Sequence, residues 1–180
     1  MKNCCIIFLL SIIISLTALG FSGREVKSDL QTGTSEYLRI HIRADSNEDK
    51  AQAVKYLVRD DVVEFLTPHV ASYLTKAQAI EGIREILPQI EKVAKETLLR
   101  RGFSYGARAS VRTETFPVRV YDGYTLPAGE YSALFIELGS GKGDNWWCVV
   151  YPPLCFSSTS SKNVVYKSKI LEIIRRFRNG

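Results

Sequence analysis

Residues 38–43, LRIHIR, alternate aliphatic and polar side chains without a break. Adjacent strand residues point to opposite faces, so the pattern predicts a half-buried β-strand. Leu38, Ile40 and Ile42 would face inward and Arg39, His41 and Arg43 outward. The period then changes. Ser46 and Asp49 resemble a capping box with aspartate in place of glutamate, and Val54, Val58, Val62, Phe65 and His69 recur at helical spacing as far as Thr67-Pro68. A second helical stretch runs from about Lys76 to Arg101, with Ile80, Ile83, Leu87, Ile90 and Ala94 on one face. Pro88 is expected to kink or split it and Gly102 to end it. A hairpin of two such helices cannot hide its apolar stripes alone and needs a sheet.

Strand patterns supply one. Ala107–Phe116 alternates in part, and Pro117 limits it to an edge or a break. Val118–Tyr121 reads as extended, Leu126–Tyr131 as a turn, Leu134–Leu138 as a strand, Gly139–Asp144 as a glycine-rich hairpin loop and Trp146–Val150 as the returning strand. The order strand, helix, helix, several strands predicts an α+β fold, a helical hairpin packed on a mostly antiparallel sheet. With 46% apolar and 24% charged residues in 180, the chain has the composition of one soluble domain with a core.

The first residues set an address. Cys4 to Leu19 is apolar but for serine and threonine, too short as a helix to match a roughly 30 Å hydrocarbon core, and Ala18-Leu19-Gly20 offers small residues two apart. Residues 1–20 read as an export signal, either cleaved or retained as an anchor, and residues 21–36 as a polar linker. Loss of the signal removes one lysine and no acid, taking the net charge from +5 to +4, and leaves Cys148 and Cys155, an even pair in an exported chain and so a candidate disulfide. The pI of about 9.0 admits nucleic acid as a partner, but export disfavours it. Residues 157–163, SSTSSKN, form a second linker. Beyond it, residues 164–180 carry Lys167, Lys169, Arg175, Arg176 and Arg178 around Val165, Ile170, Ile173, Ile174 and Phe177. That is a basic amphipathic helix, suited either to an anionic membrane surface or to docking on the domain.

Candidate chemistry is sparse. Gly139-Ser140-Gly141-Lys142-Gly143 lacks the spacing of a phosphate loop and leads into a strand, so no nucleotide site is expected. His41 and His69 are the only histidines, and Cys148 and Cys155 are too far apart for a zinc knuckle, so no metal or other cofactor is expected. A Cys148–His41 pair would make an exported cysteine-dependent hydrolase of cell wall or peptide. A thiol among apolar neighbours stays inert unless a base reaches it. The acids Asp45, Asp49, Asp60, Asp61 and Glu64 follow one strand into one helix, and a solvated helix face explains most of them.

The stretch NWWCVVYPPLC, residues 145–155, gathers both tryptophans. Trp146 and Trp147 must point to opposite faces, so the strand is either covered on both sides or keeps one face for a partner.

Two blocks, LRIHIRADSNEDKAQAVKYLVRDDVVEFLTP (38–68) and LPAGEYSALFIELGSGKGDNWWCVVYPPLCF (126–156), resemble the stage II sporulation protein R family of endospore-forming bacteria, the likeness covering about residues 37–156. The resemblance implies a sporulation signal and no catalytic residue set. Such proteins are made in the forespore and secreted into the space between the two membranes. There they activate a membrane-embedded aspartic protease of the mother cell, leading to processing of pro-sigma-E. On this reading Arg39, His41, Arg43, Trp146, Trp147, Pro152 and Pro153 are the candidate partner-binding residues, because interfaces favour aromatic and arginine side chains.

Overall fold

The computed structural model describes residues 36–121, 124–156 and 164–178; of Tyr124 and residues 164–169 only the backbone is described. The expected signal and both linkers therefore lie outside the described residues, but for Glu36. In chain order the elements are β1 (Leu38–Arg43), α1 (Asp49–Val70), α2 (Lys76–Glu85), α3 (Leu87–Arg100), β2 (Ala107–Phe116), β3 (Arg119–Tyr121), β4 (Tyr124–Leu126), β5 (Gly129–Leu138), β6 (Asn145–Tyr151), a 3-10 turn (Leu154–Phe156) and α4 (Val164–Arg178). The fold is α+β, with a four-stranded sheet in the order β2-β5-β1-β6 and a separate β3–β4 ribbon.

β1 lies parallel to β5 and antiparallel to β6, and β2 is antiparallel to β5. β5 and β6 are thus not neighbours: β1 is inserted between them, and the glycine-rich segment is a bridge across its end instead of a hairpin loop. That bridge is fastened to the residues leaving β1. Ser140 N donates to Asp45 Oδ1 (2.6 Å), Asp144 N to Asn47 Oδ1 (2.6 Å) and Gly143 N to the Ala44 carbonyl (2.8 Å). Gly139 sits at φ +57°, and a Cβ there would run into the Asp45 carboxylate. Asp45 thus accepts from the bridge and belongs to the fold and not to a solvated helix face.

The helices follow their apolar spacing. α1 buries Val54, Val58, Val62, Leu66 and Val70, while Phe65 and His69 lie half-buried at the rim. Pro68 falls in its last turn, and the helix continues to Val70. The expected capping box does not form. Glu48 is the N-cap, with no side-chain bond, and Ser46 Oγ accepts from Glu48 N (3.4 Å) and not from the amide three residues on. The second stretch is split in two. Pro88 sits in the first turn of α3, where a missing N–H costs no helical bond. Ala79 and Ile83 of α2, with Ile90, Ala94 and Leu98 of α3, join Leu38, Ile40, Ile42, Leu134, Ile136 and Leu138 in the main core. Gly102, at φ +83°, ends α3 as Phe103 N returns to the Leu98 carbonyl (3.0 Å).

β6 is an outer strand of the sheet, but its edge is covered by the turn after Tyr151. The chain reverses at Tyr151-Pro152, Pro152 and Pro153 are buried, and Cys155 bonds Cys148 with their Cα atoms 6.0 Å apart. This places Cys155 Sγ to accept from the outward amide of Val149 (3.0 Å). Closing so short a loop contributes only about 2.5 kcal/mol, so the bridge positions the turn more than it stabilises the domain. α4 turns its apolar side inward: Ile170 and Ile173 are buried in the main core, and the Phe177 ring meets Tyr37 and Tyr151 at 6.4 and 5.4 Å.

Candidate functional site

The second face of the sheet departs from expectation. Arg39 and His41 were expected to face water, yet Arg39 is 0% and His41 2% exposed. The cause is a covering layer. After Phe116 and Pro117 the chain folds back as the β3–β4 ribbon, with Tyr121 and Arg119 over residues of β1 and β6. Phe116, Tyr131, Ala133 and Phe135 form a second apolar cluster there, with Tyr37 and Trp147 packed against it.

Within this layer Arg39 is surrounded by rings. Its guanidinium lies 4.1 Å from the Phe116 centroid, 4.8 Å from Tyr131 and 5.5 Å from Tyr121, and it donates to the Tyr121 hydroxyl (2.5 Å). Cation–π attraction is strongest where water is excluded, and here it substitutes for a carboxylate. Burial nonetheless pulls the guanidinium pKa down, opposed by Tyr121, and Nε and Nη1 have no hydrogen-bond partner. His41 sits among Phe135 (4.6 Å), Trp147 (5.5 Å) and Phe116 (5.9 Å), with neither ring nitrogen hydrogen-bonded. Burial lowers its pKa to about 4, with Asn145 partly opposing, so the imidazole is neutral at neutral pH.

The hydrolase pair is not assembled. His41 is in register with Trp147 and Ile40 with Cys148, so the thiol and the imidazole lie on opposite faces of the sheet. Cys148 is moreover held in the disulfide. Among the described residues no group of three or more His, Cys, Asp or Glu is placed to hold a metal.

The two indoles do occupy opposite faces. Trp146 packs against the main core and Trp147 against the second cluster, and both stay partly exposed. Each carries an arginine: Arg59 from α1 at 5.6 Å over Trp146, and Arg119 from β3 at 4.1 Å over Trp147. Arg43, one third exposed, contacts Glu114 at 3.4 Å. Of the seven expected partner-binding residues, Arg43, Trp146 and Trp147 reach the surface. Arg39, His41, Pro152 and Pro153 are buried beneath it. Sequence reasoning missed Arg59 and Arg119, which only the tertiary fold brings to the indoles.

Ile170 and Ile173 of α4 are buried in the domain, so an acyl layer cannot receive them while the helix is docked. Arg175, Arg176 and Arg178 face solvent; the side chains of Lys167 and Lys169 lie outside the described residues. Among the described residues no helix is long and apolar enough to cross a membrane.

Comparison with known proteins agrees with the two sequence blocks. The family model for stage II sporulation protein R matches residues 34–161. The stage II sporulation protein R of Bacillus subtilis (strain 168) is 36% identical over 139 residues, which is 77% of this chain and 62% of that relative. No solved structure matches. The chain belongs to the stage II sporulation protein R family.

Proposed function

We propose that this chain is an exported signalling protein of sporulation. It leaves the forespore for the intermembrane space and activates a membrane-embedded aspartic protease of the mother cell, so that pro-sigma-E is processed. Family membership supports the sporulation role. One structural observation supports action by contact: both indoles of β6 lie partly exposed on opposite faces of one strand, each under an arginine. Rigid aromatic and guanidinium groups in this arrangement concentrate binding energy at interfaces. The disulfide agrees with an oxidising compartment outside the cytosol.

The contact surface on this reading is Arg43, Arg59, Arg119, Trp146 and Trp147. Arg39 and His41 act from below, by holding Trp147 and the ribbon in place. The surface is tested in sporulating cells with Arg43→Ala and Arg119→Ala, which remove partly exposed groups without opening the core. Each is expected to lower pro-sigma-E cleavage by roughly tenfold or more at unchanged protein level. Wild-type cleavage in both would remove the face of Arg43, Arg119 and Trp147 from the account.

A further inference from the structure

The two edges of the main sheet are treated differently. The disulfide-linked turn folds over β6, whereas β2, ten residues long, is in register with β5 alone. Ala109 N is bonded to Glu91 Oε1 of α3 at 2.7 Å, which shows that odd-numbered residues of β2 turn their backbone groups away from β5. Val111, Thr113 and Thr115 therefore present outward donors and acceptors, with Thr113 and Thr115 exposed. Among the described residues no second strand pairs with this stretch, and it carries no bulge, proline or lysine.

The open stretch is self-complementary. A two-fold axis at Thr113 sets Val111 opposite Thr115 of a second copy and Thr113 opposite itself, each couple exchanging two backbone hydrogen bonds. Between them Arg112 falls opposite Glu114 and Glu114 opposite Arg112, opposite charges at the close, non-hydrogen-bonded positions. The same axis sets Ala109 opposite Pro117. Ala109 has already given its N–H to Glu91, and Pro117 has none, so both ends of the ladder stop where donors run out. We propose that two copies of this chain pair antiparallel through residues 111–115 of β2, making one continuous eight-stranded sheet.

This pairing is independent of the signalling role, and its test reads mass alone. In the full chain with Cys4 and Cys5 replaced by serine, Thr113→Cys places two thiols on the axis, with Cα atoms ~5.5 Å apart, within disulfide reach. Mild oxidation should give a species of doubled mass that reductant reverses. Val111→Cys alone should give none, yet should cross-link to a Thr115→Cys copy. Adding Arg112→Glu to Thr113→Cys sets like charges opposite each other and should cut the yield roughly tenfold; mixing with a Thr113→Cys chain carrying Glu114→Arg should restore it. Rescue by mixing cannot come from an ion pair within one chain. Thr113→Cys that stays monomeric, Val111→Cys that self-links equally well, or cross-linking to a different protein would each overturn the pairing.

Discussion

His41 is an imidazole held between three aromatic rings with both nitrogens unbonded, and that position sets its behaviour with pH. Its pKa is about 4 in the folded chain against an ordinary 6.5. The unfolded chain therefore takes up the proton first as pH falls. The contribution to stability is complete above about pH 6.5, declines between 6.5 and 4, and is gone below, a loss of about 3 kcal/mol. His41→Leu, which removes two buried nitrogens that have no hydrogen-bond partner, should flatten that decline in urea unfolding series at pH 7 and pH 4.5. An unchanged slope would mean that another group carries the acid sensitivity. At this scale the sequence was half legible. The alternation of β1 was plain, but alternation cannot show what covers the polar side. The sign lay in β5, where Tyr131, Ala133 and Phe135 are apolar on one face and Leu134, Ile136 and Leu138 on the other.

Elements were more legible than their neighbours. Apolar spacing located α1, α2 and α3, and Pro88 and Gly102 marked their limits for stated backbone reasons. Strand pairing was not legible, because the glycine-rich segment reads the same whether it turns back beside β5 or passes over β1. The distinction lies in Asp45 and Asn47, nearly a hundred residues away, whose side chains receive its amides. Gly139 and Gly102 separate the two demands made of such residues. Both hold positive φ, but a Cβ at Gly102 meets nothing within 4 Å, whereas at Gly139 it meets Asp45. Gly102→Ala should cost about 1 kcal/mol and Gly139→Ala clearly more, about 2–4 kcal/mol, in denaturant unfolding. Equal costs would show that the Asp45 clamp adds nothing to the backbone term.

At the scale of the described residues together, a sheet is sealed on one face by three helices and carries a ribbon on the other, with α4 docked by Ile170, Ile173 and Phe177. The indole-bearing strand was visible in the sequence as a concentration of aromatic residues. Its arginine partners were not, since Arg59 and Arg119 come from elements that only the tertiary fold brings to it. The hydrolase reading fails at this scale too, because the sheet itself separates Cys148 from His41. The proposed contact surface rests on the exposed parts of Trp146 and Trp147 and on the arginines over them. Activation by contact is read most directly by adding the purified full chain to vesicles that hold the membrane-embedded aspartic protease and pro-sigma-E. Cleavage is expected only when chain and protease are both present. Cleavage by the chain without the protease, or protease activity indifferent to the chain, would contradict it.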